Sequence, residues 1–232
     1  MKTLTAVAFF AVFTAFVPPI NHNTPLSTDC AKETGLAKVV CLAEALKAML
    51  SPEQVAQLQL GYSKENAIKW SNFPEFRPTR VGIKLGQLNE KQLAAAKALL
   101  SVVLSHESEN EGFGEMESNL AADDFFGQHT RNTRLFSSGN FFLAFLGQPS
   151  ISGLWELQYG GHHYAFANTY QSGKLIGATP SFRGVEPSIF EWNGKKHQPY
   201  EQEKEALAEL INGLNEADKT TAKLRLTFNN FF

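Results

Sequence analysis

Residues Asn140–Pro180 read NFFLAFLGQPSISGLWELQYGGHHYAFANTYQSGKLIGATP. Four β-rich runs stand out: Asn140–Leu146, Leu154–Tyr159, His162–Tyr170 and Lys174–Pro180. They are parted by Gly147-Gln148-Pro149, Gly160-Gly161 and Gln171-Ser172-Gly173. Short apolar and aromatic runs bounded by turn-forming residues predict strands joined by tight connections, hence an antiparallel meander. Downstream, Trp192-Asn193-Gly194-Lys195 carries an Asn-Gly pair. Such a pair supplies two adjacent positive-φ positions and predicts a hairpin between short strands near Phe190 and His197.

On either side the period changes to that of a helix. Leu36, Val39, Val40, Ala43, Leu46, Met49 and Leu50 recur at helical spacing and predict an amphipathic helix over Gly35–Leu50. Ser51-Pro52-Glu53-Gln54 is a capping box with proline at the first helical position, launching a second helix to about Leu60. The device returns at Asn89–Gln92, ahead of Leu93, Ala96, Leu100, Val103 and Leu104, and again at Asn215–Asp218. Further helices are expected over Glu115–Phe126 and Glu201–Leu214. Residues 43–60 and 206–226 share a helix, cap and helix pattern, a weak internal repeat. A strand-rich middle with helical flanks gives an α+β fold: an antiparallel meander of about four strands plus a hairpin, with amphipathic helices covering one face.

The chain has 232 residues, 43% hydrophobic and 19% charged, enough to bury a core. A net charge of -2 with scattered Lys and Arg lacks the basic footprint that phosphate contacts require, so nucleic acid is not an expected partner. No Gly-rich phosphate loop, nucleophile elbow or HExxH is present, and two cysteines cannot build a Cys-rich zinc site.

Met1 and Lys2 precede an uncharged run from Thr3 to Val17, broken by Pro18 and Pro19. About 20 apolar residues are needed to cross a bilayer, whereas this run has the length of a signal-peptide core. The expectation is a signal peptide over residues 1–20, then a single α+β domain over 21–232, exported to the periplasm or beyond. No transmembrane segment is expected once the signal is removed. Cys30 and Cys41 in an oxidising compartment have two readings. On one continuous helix they would stand about 16 Å apart and could not pair. A bridge requires the chain near Cys30 to fold back, and otherwise both remain thiols.

The residues most able to carry chemistry lie in Trp155–His163, WELQYGGHH. Alternation along the strand His162–Tyr170 puts His162 with Tyr164, Phe166 and Asn168, as a hydrogen-bonded structural residue. His163 falls on the small-residue face of Ala165 and Ala167, which leaves room for a ligand or a packed helix. Two histidines on opposite faces cannot share a metal unless a bulge at Gly160 or Gly161 re-aims one. Candidate ligand-binding residues are therefore Trp155, Gln158, Gly160, Gly161 and His163. Candidate catalytic residues are His163, His162 and Glu186, with His163 the candidate ligand for a single metal ion. His129, His106, His197 and His22 lack ligand spacing or context. Glu115, Glu117, Asp123, Asp124, Glu156 and Glu186 are all eligible carboxylates, and no spacing singles one out.

Taken in order, WSNFP (Trp70–Pro74), VGIKLGQLNEKQ (Val81–Gln92), FFLAFLGQPS (Phe141–Ser150), WELQYGGHH and GATPSFRGVEP (Gly177–Pro187) resemble the exported bacterial family catalogued as domain of unknown function 3500. That resemblance implies a secreted protein without an assigned activity. It also implies a longer architecture with further histidines and an arginine, of which this chain would be the first half. An asparagine of the family pattern falls on Ala167 here, with Asn168 one step later and on the opposite face. Three functions compete: a module binding a small ligand or metal ion at Gly160–His163, an extracytoplasmic hydrolase or metal-assisted enzyme using His163, and a structural or interaction domain.

Overall fold

The computed structural model describes residues 30–74 and 80–224. The N-terminal apolar run, His22 and the end of the second repeat unit lie outside the described residues. In chain order the elements are α1 (Gly35–Ala48), α2 (Pro52–Leu58), β1 (Gln59–Leu60), α3 (Lys64–Ala67), β2 (Ile83–Lys84), α4 (Glu90–Val103) and α5 (Gly112–His129). Then come β3 (Phe142–Leu146), β4 (Trp155–Gly160), β5 (Tyr164–Gln171), β6 (Lys174–Gly177), β7 (Ser181–Arg183), β8 (Phe190–Trp192), β9 (Lys195–His197), α6 (Glu201–Gly213) and α7 (Glu216–Ala222). The fold is α+β. Among the described residues, no helix is long and apolar enough to cross a membrane.

The meander is present as β3-β4-β5-β6, antiparallel throughout. It differs from the sequence expectation in three respects. β1 adds parallel to β3, pairing Gln59 with Phe145 and Leu60 with Leu146, a two-residue strand too short to leave a period. The expected fourth strand, Lys174–Pro180, extends only to Gly177 as β6, beside Thr169–Gln171, and a further strand beyond it, β7, lies beside Tyr164–Phe166. The third strand starts at Tyr164, so His162 and His163 lie outside it. The Asn-Gly hairpin forms with φ of 50° at Asn193 and 76° at Gly194, the paired positive angles that a two-residue turn between right-twisted strands needs.

Alternation along the central strands builds the core. Trp155, Leu157 and Tyr159 of β4 share a face with Tyr164, Phe166 and Tyr170 of β5. Against them pack Val39, Ala43 and Leu46 of α1, Leu99 and Leu100 of α4, and Met116 and Leu120 of α5. The opposite face carries a buried polar group. Thr169 Oγ1 donates to Glu156 Oε2 at 2.9 Å, and Gln158 Nε2 donates to the Ala67 carbonyl at 3.0 Å. Burial pushes the Glu156 carboxyl above the usual carboxylate range, against the pull of the hydrogen bonds it accepts from Thr169 and Gln158.

Cys30 and Cys41 form a disulfide. A single 3-10 turn, Cys30–Lys32, and a positive φ of 53° at Gly35 double the chain back over the first helix, bringing the two Cα atoms to 5.8 Å. The two repeat units keep their caps, Ser51 and Asn215, but not their environments. α1 and α2 bury Val39, Ala43, Leu46 and Leu58, whereas α6 and α7 bury none of their residues.

Candidate metal centre

The last ladder pair of β4 and β5 is Gly160 with Ala165, and the Gly161 N–H donates to the Tyr164 carbonyl at 2.8 Å. His162 and His163 are therefore the two central residues of a hairpin connection. The turn puts His163 at φ 60°, a left-handed conformation that histidine adopts more readily than β-branched residues do. The His163 N–H donates to the Asn72 carbonyl at 2.8 Å, which ties the tip to the preceding segment. Gly161 is required by packing: a Cβ there would stand 2.5 Å from the Phe141 ring carbons. Gly161→Ala is expected to destabilise the protein by about 1–3 kcal/mol through overpacking, read as a lower midpoint in urea unfolding.

Reversing the chain at this point puts both imidazoles on one side, where strand alternation would have parted them. Their ring centroids are 4.0 Å apart. His162 is buried against Phe136, and its Nδ1 sits 2.7 Å from Asp123 Oδ1. With Nδ1–H donating to that carboxylate, Nε2 keeps a lone pair able to ligate a metal ion, the way a carboxylate commonly orients a metal-binding histidine. Asp123 is itself buried. Its carboxyl is pushed up by that burial, an effect opposed by the hydrogen bond to His162. Glu186 enters from the loop after β7, with Oε2 at 3.6 Å from His163 Nε2.

His162, His163 and Glu186 offer one ligand atom each, all within 4.8 Å of one another. Nitrogen and oxygen ligands at about 2.0–2.2 Å from a common ion stand roughly 3–4 Å apart. Burial first, then the neighbouring His162, holds the His163 imidazole below its ordinary value, with Glu186 opposing. The neutral, metal-binding form is thereby favoured. A cavity of about 620 Å³ opens beside the three residues.

Three polar residues of α5 build the supports of this centre. Glu115, Asn119 and Asp123 are 5%, 2% and 3% exposed, and their spacing of four places them in one stripe along the helix. Glu115 Oε1 lies 3.2 Å from Arg183 Nε, and Asn119 Nδ2 donates to the Gly184 carbonyl at 2.7 Å. Both fix the segment leading to Glu186, while Asp123 fixes His162. In the sequence Glu115 and Asp123 stood among six eligible carboxylates that no spacing singled out, and Asn119 was not a candidate.

The other residues read from the sequence lie elsewhere. Trp155 stands at the far end of β4, fully buried, with Nε1 donating to the Ser150 carbonyl at 2.9 Å. Gln158 belongs to the buried group on the opposite face, and Gly160 abuts the Ala165 side chain. None of the three lines the cavity beside His163. His129 stacks on Phe125 and His106 bonds Ser101. His197 holds the β8–β9 hairpin to α5 through Ser118 Oγ at 3.1 Å.

A family model described as "Protein of unknown function (DUF3500)" matches residues 32–231. The chain belongs to this family. The match takes in every residue of the centre: Asp123 on α5, the His-His turn and Glu186 all lie within the DUF3500 span. No curated protein and no solved structure matches the chain.

Proposed function

We propose that this protein is an exported metal-binding protein that holds one divalent transition ion at His162, His163 and Glu186. The observation carrying the reading is the convergence of three ligand atoms backed by a carboxylate, Asp123, on the far nitrogen of a buried ligand. A packing motif needs no such arrangement. Imidazole and carboxylate donors suit zinc, iron(II), cobalt(II) or manganese(II). Export is supported by the Cys30–Cys41 bridge, since disulfides persist in oxidising compartments, and by the uncharged N-terminal run.

A second reading, a metal-assisted extracytoplasmic hydrolase, is favoured by one feature. Three protein ligands leave a coordination position open, and the cavity lies beside them. There His162, His163 and Glu186 would hold the ion, and the ion would supply Lewis acidity.

The test is equilibrium dialysis of the purified chain against cobalt(II) and zinc(II), with metal content measured afterwards. One ion per chain is expected, falling to background in His163→Ala. Retention of stoichiometric metal by both His163→Ala and Glu186→Ala would overturn the assignment. The pH dependence follows from the depressed His163 value. Protons compete less at this imidazole, so metal binding should persist below the ordinary histidine value of about 6.5.

In the metal-free chain the depressed His163 value makes stability fall as pH falls. Between the ordinary and the depressed value, the unfolded chain binds the extra proton and the folded chain does not. The contribution is complete above the ordinary value and is lost as pH falls through that window. His163→Ala should flatten this part of the curve of Tm against pH.

A further inference from the structure

The walls of the cavity carry a second, chemical message. Phe73, Phe136, Phe182 and Val185 present apolar surface beside His163 and Glu186. Two backbone carbonyls of the same wall already have partners: that of Asn72 accepts from His163 and that of Gly184 accepts from Asn119. Arg183 is the one Lys or Arg among the described residues lining the cavity, and its charge is engaged. Its Nε faces Glu115 at 3.2 Å, its guanidinium lies 4.4 Å from the centre of the Tyr164 ring, and Nη1 donates to the Ala165 and Phe182 carbonyls at 3.1 Å each.

A ligand entering here would therefore meet the proposed ion at one end and aromatic surface along its body, with few groups to satisfy hydroxyls. Sugars and other polyols would bury unpaired polar atoms. A dianion would find no free cationic side chain among the described residues of the wall.

We propose that the ligand or substrate completing the metal's coordination is a compact aromatic or branched apolar molecule with one oxygen-donor head group, a carboxylate or its equivalent. The head group sits on the ion and the apolar body lies against Phe73, Phe182 and Val185. The volume of about 620 Å³ accommodates such a molecule. This proposal rests on the metal reading above.

The test uses the full chain loaded with cobalt(II), whose visible absorption reports a change of ligands. It is titrated in parallel with benzohydroxamate and acetohydroxamate, which share a head group and differ in the body. Benzohydroxamate is expected to bind at least about tenfold more tightly, the scale of burying a phenyl ring in place of a methyl group. Phe73→Ala and, separately, Val185→Ala should shrink that ratio several-fold while leaving cobalt stoichiometry and acetohydroxamate affinity unchanged. Acetohydroxamate thus controls for the integrity of each variant. Absence of cobalt binding would overturn the metal reading itself. Stoichiometric cobalt with equal affinity for the two hydroxamates would leave the metal reading standing and overturn this one.

Discussion

His162→Ala is expected to destabilise the folded chain by about 3–5 kcal/mol, the usual consequence of deleting one partner of a buried pair. Both side chains are about 5% exposed or less. Removing the imidazole strands Asp123 Oδ1, which loses its 2.7 Å partner, and opens a void beside Phe136, whose ring centroid lies 5.1 Å from that of His162. Urea unfolding monitored by tryptophan fluorescence would measure it. Asp123→Asn keeps the shape and removes the charge, so its stability loss should be smaller. Its metal affinity should nevertheless fall about 10–100-fold, the usual effect of losing the group that orients a ligand. His163, more exposed and facing the cavity, should behave in the opposite way: metal binding lost with a small change in Tm.

Loss of the Cys30–Cys41 bridge is the second large effect. The bridge closes a short loop, with a sequence separation of 11 residues. By the chain-entropy relation, a loop of that size stabilises the folded state by about 3 kcal/mol. The double variant Cys30→Ser with Cys41→Ser should lose close to that amount in denaturant titration. Reduction of the native protein should lower its Tm similarly. The disulfide and the metal centre share no partners: one pins the start of α1, the other joins α5, the β4–β5 turn and the loop after β7. Their free-energy effects should therefore add.

Fold and site were legible in the sequence to different degrees, for physical reasons. Where one face of an element is buried, periodicity marks it. The caps at Ser51, Asn89 and Asn215, the alternation of Trp155, Leu157 and Tyr159, and the Asn193-Gly194 turn all read through. β1 and β7 did not, because strands of two and three residues have no period. At the site, extending strand alternation through His162 parted the two histidines. The chain turns instead at His162-His163, two residues later than Gly160-Gly161, with a positive φ at His163, and this reunites them.

Glu186 was a candidate on its chemistry, yet its approach to within 3.6 Å of His163 depends on the α5 stripe. Glu115, Asn119 and Asp123 act through tertiary contacts more than 35 residues away in sequence. No local pattern encodes that pairing. Trp155 and Gln158 show the converse: they neighbour the Gly-Gly-His-His string along the chain, but a strand of six residues carries them away from its tip.

The most direct measurement is anomalous X-ray diffraction, at the zinc absorption edge, from crystals of the zinc-loaded protein. The account predicts one peak per chain with His162 Nε2, His163 Nε2 and a Glu186 oxygen at about 2.0–2.2 Å, and with Asp123 retained on His162 Nδ1. A peak elsewhere, or a centre at which His162 turns Nδ1 away from Asp123, would contradict it.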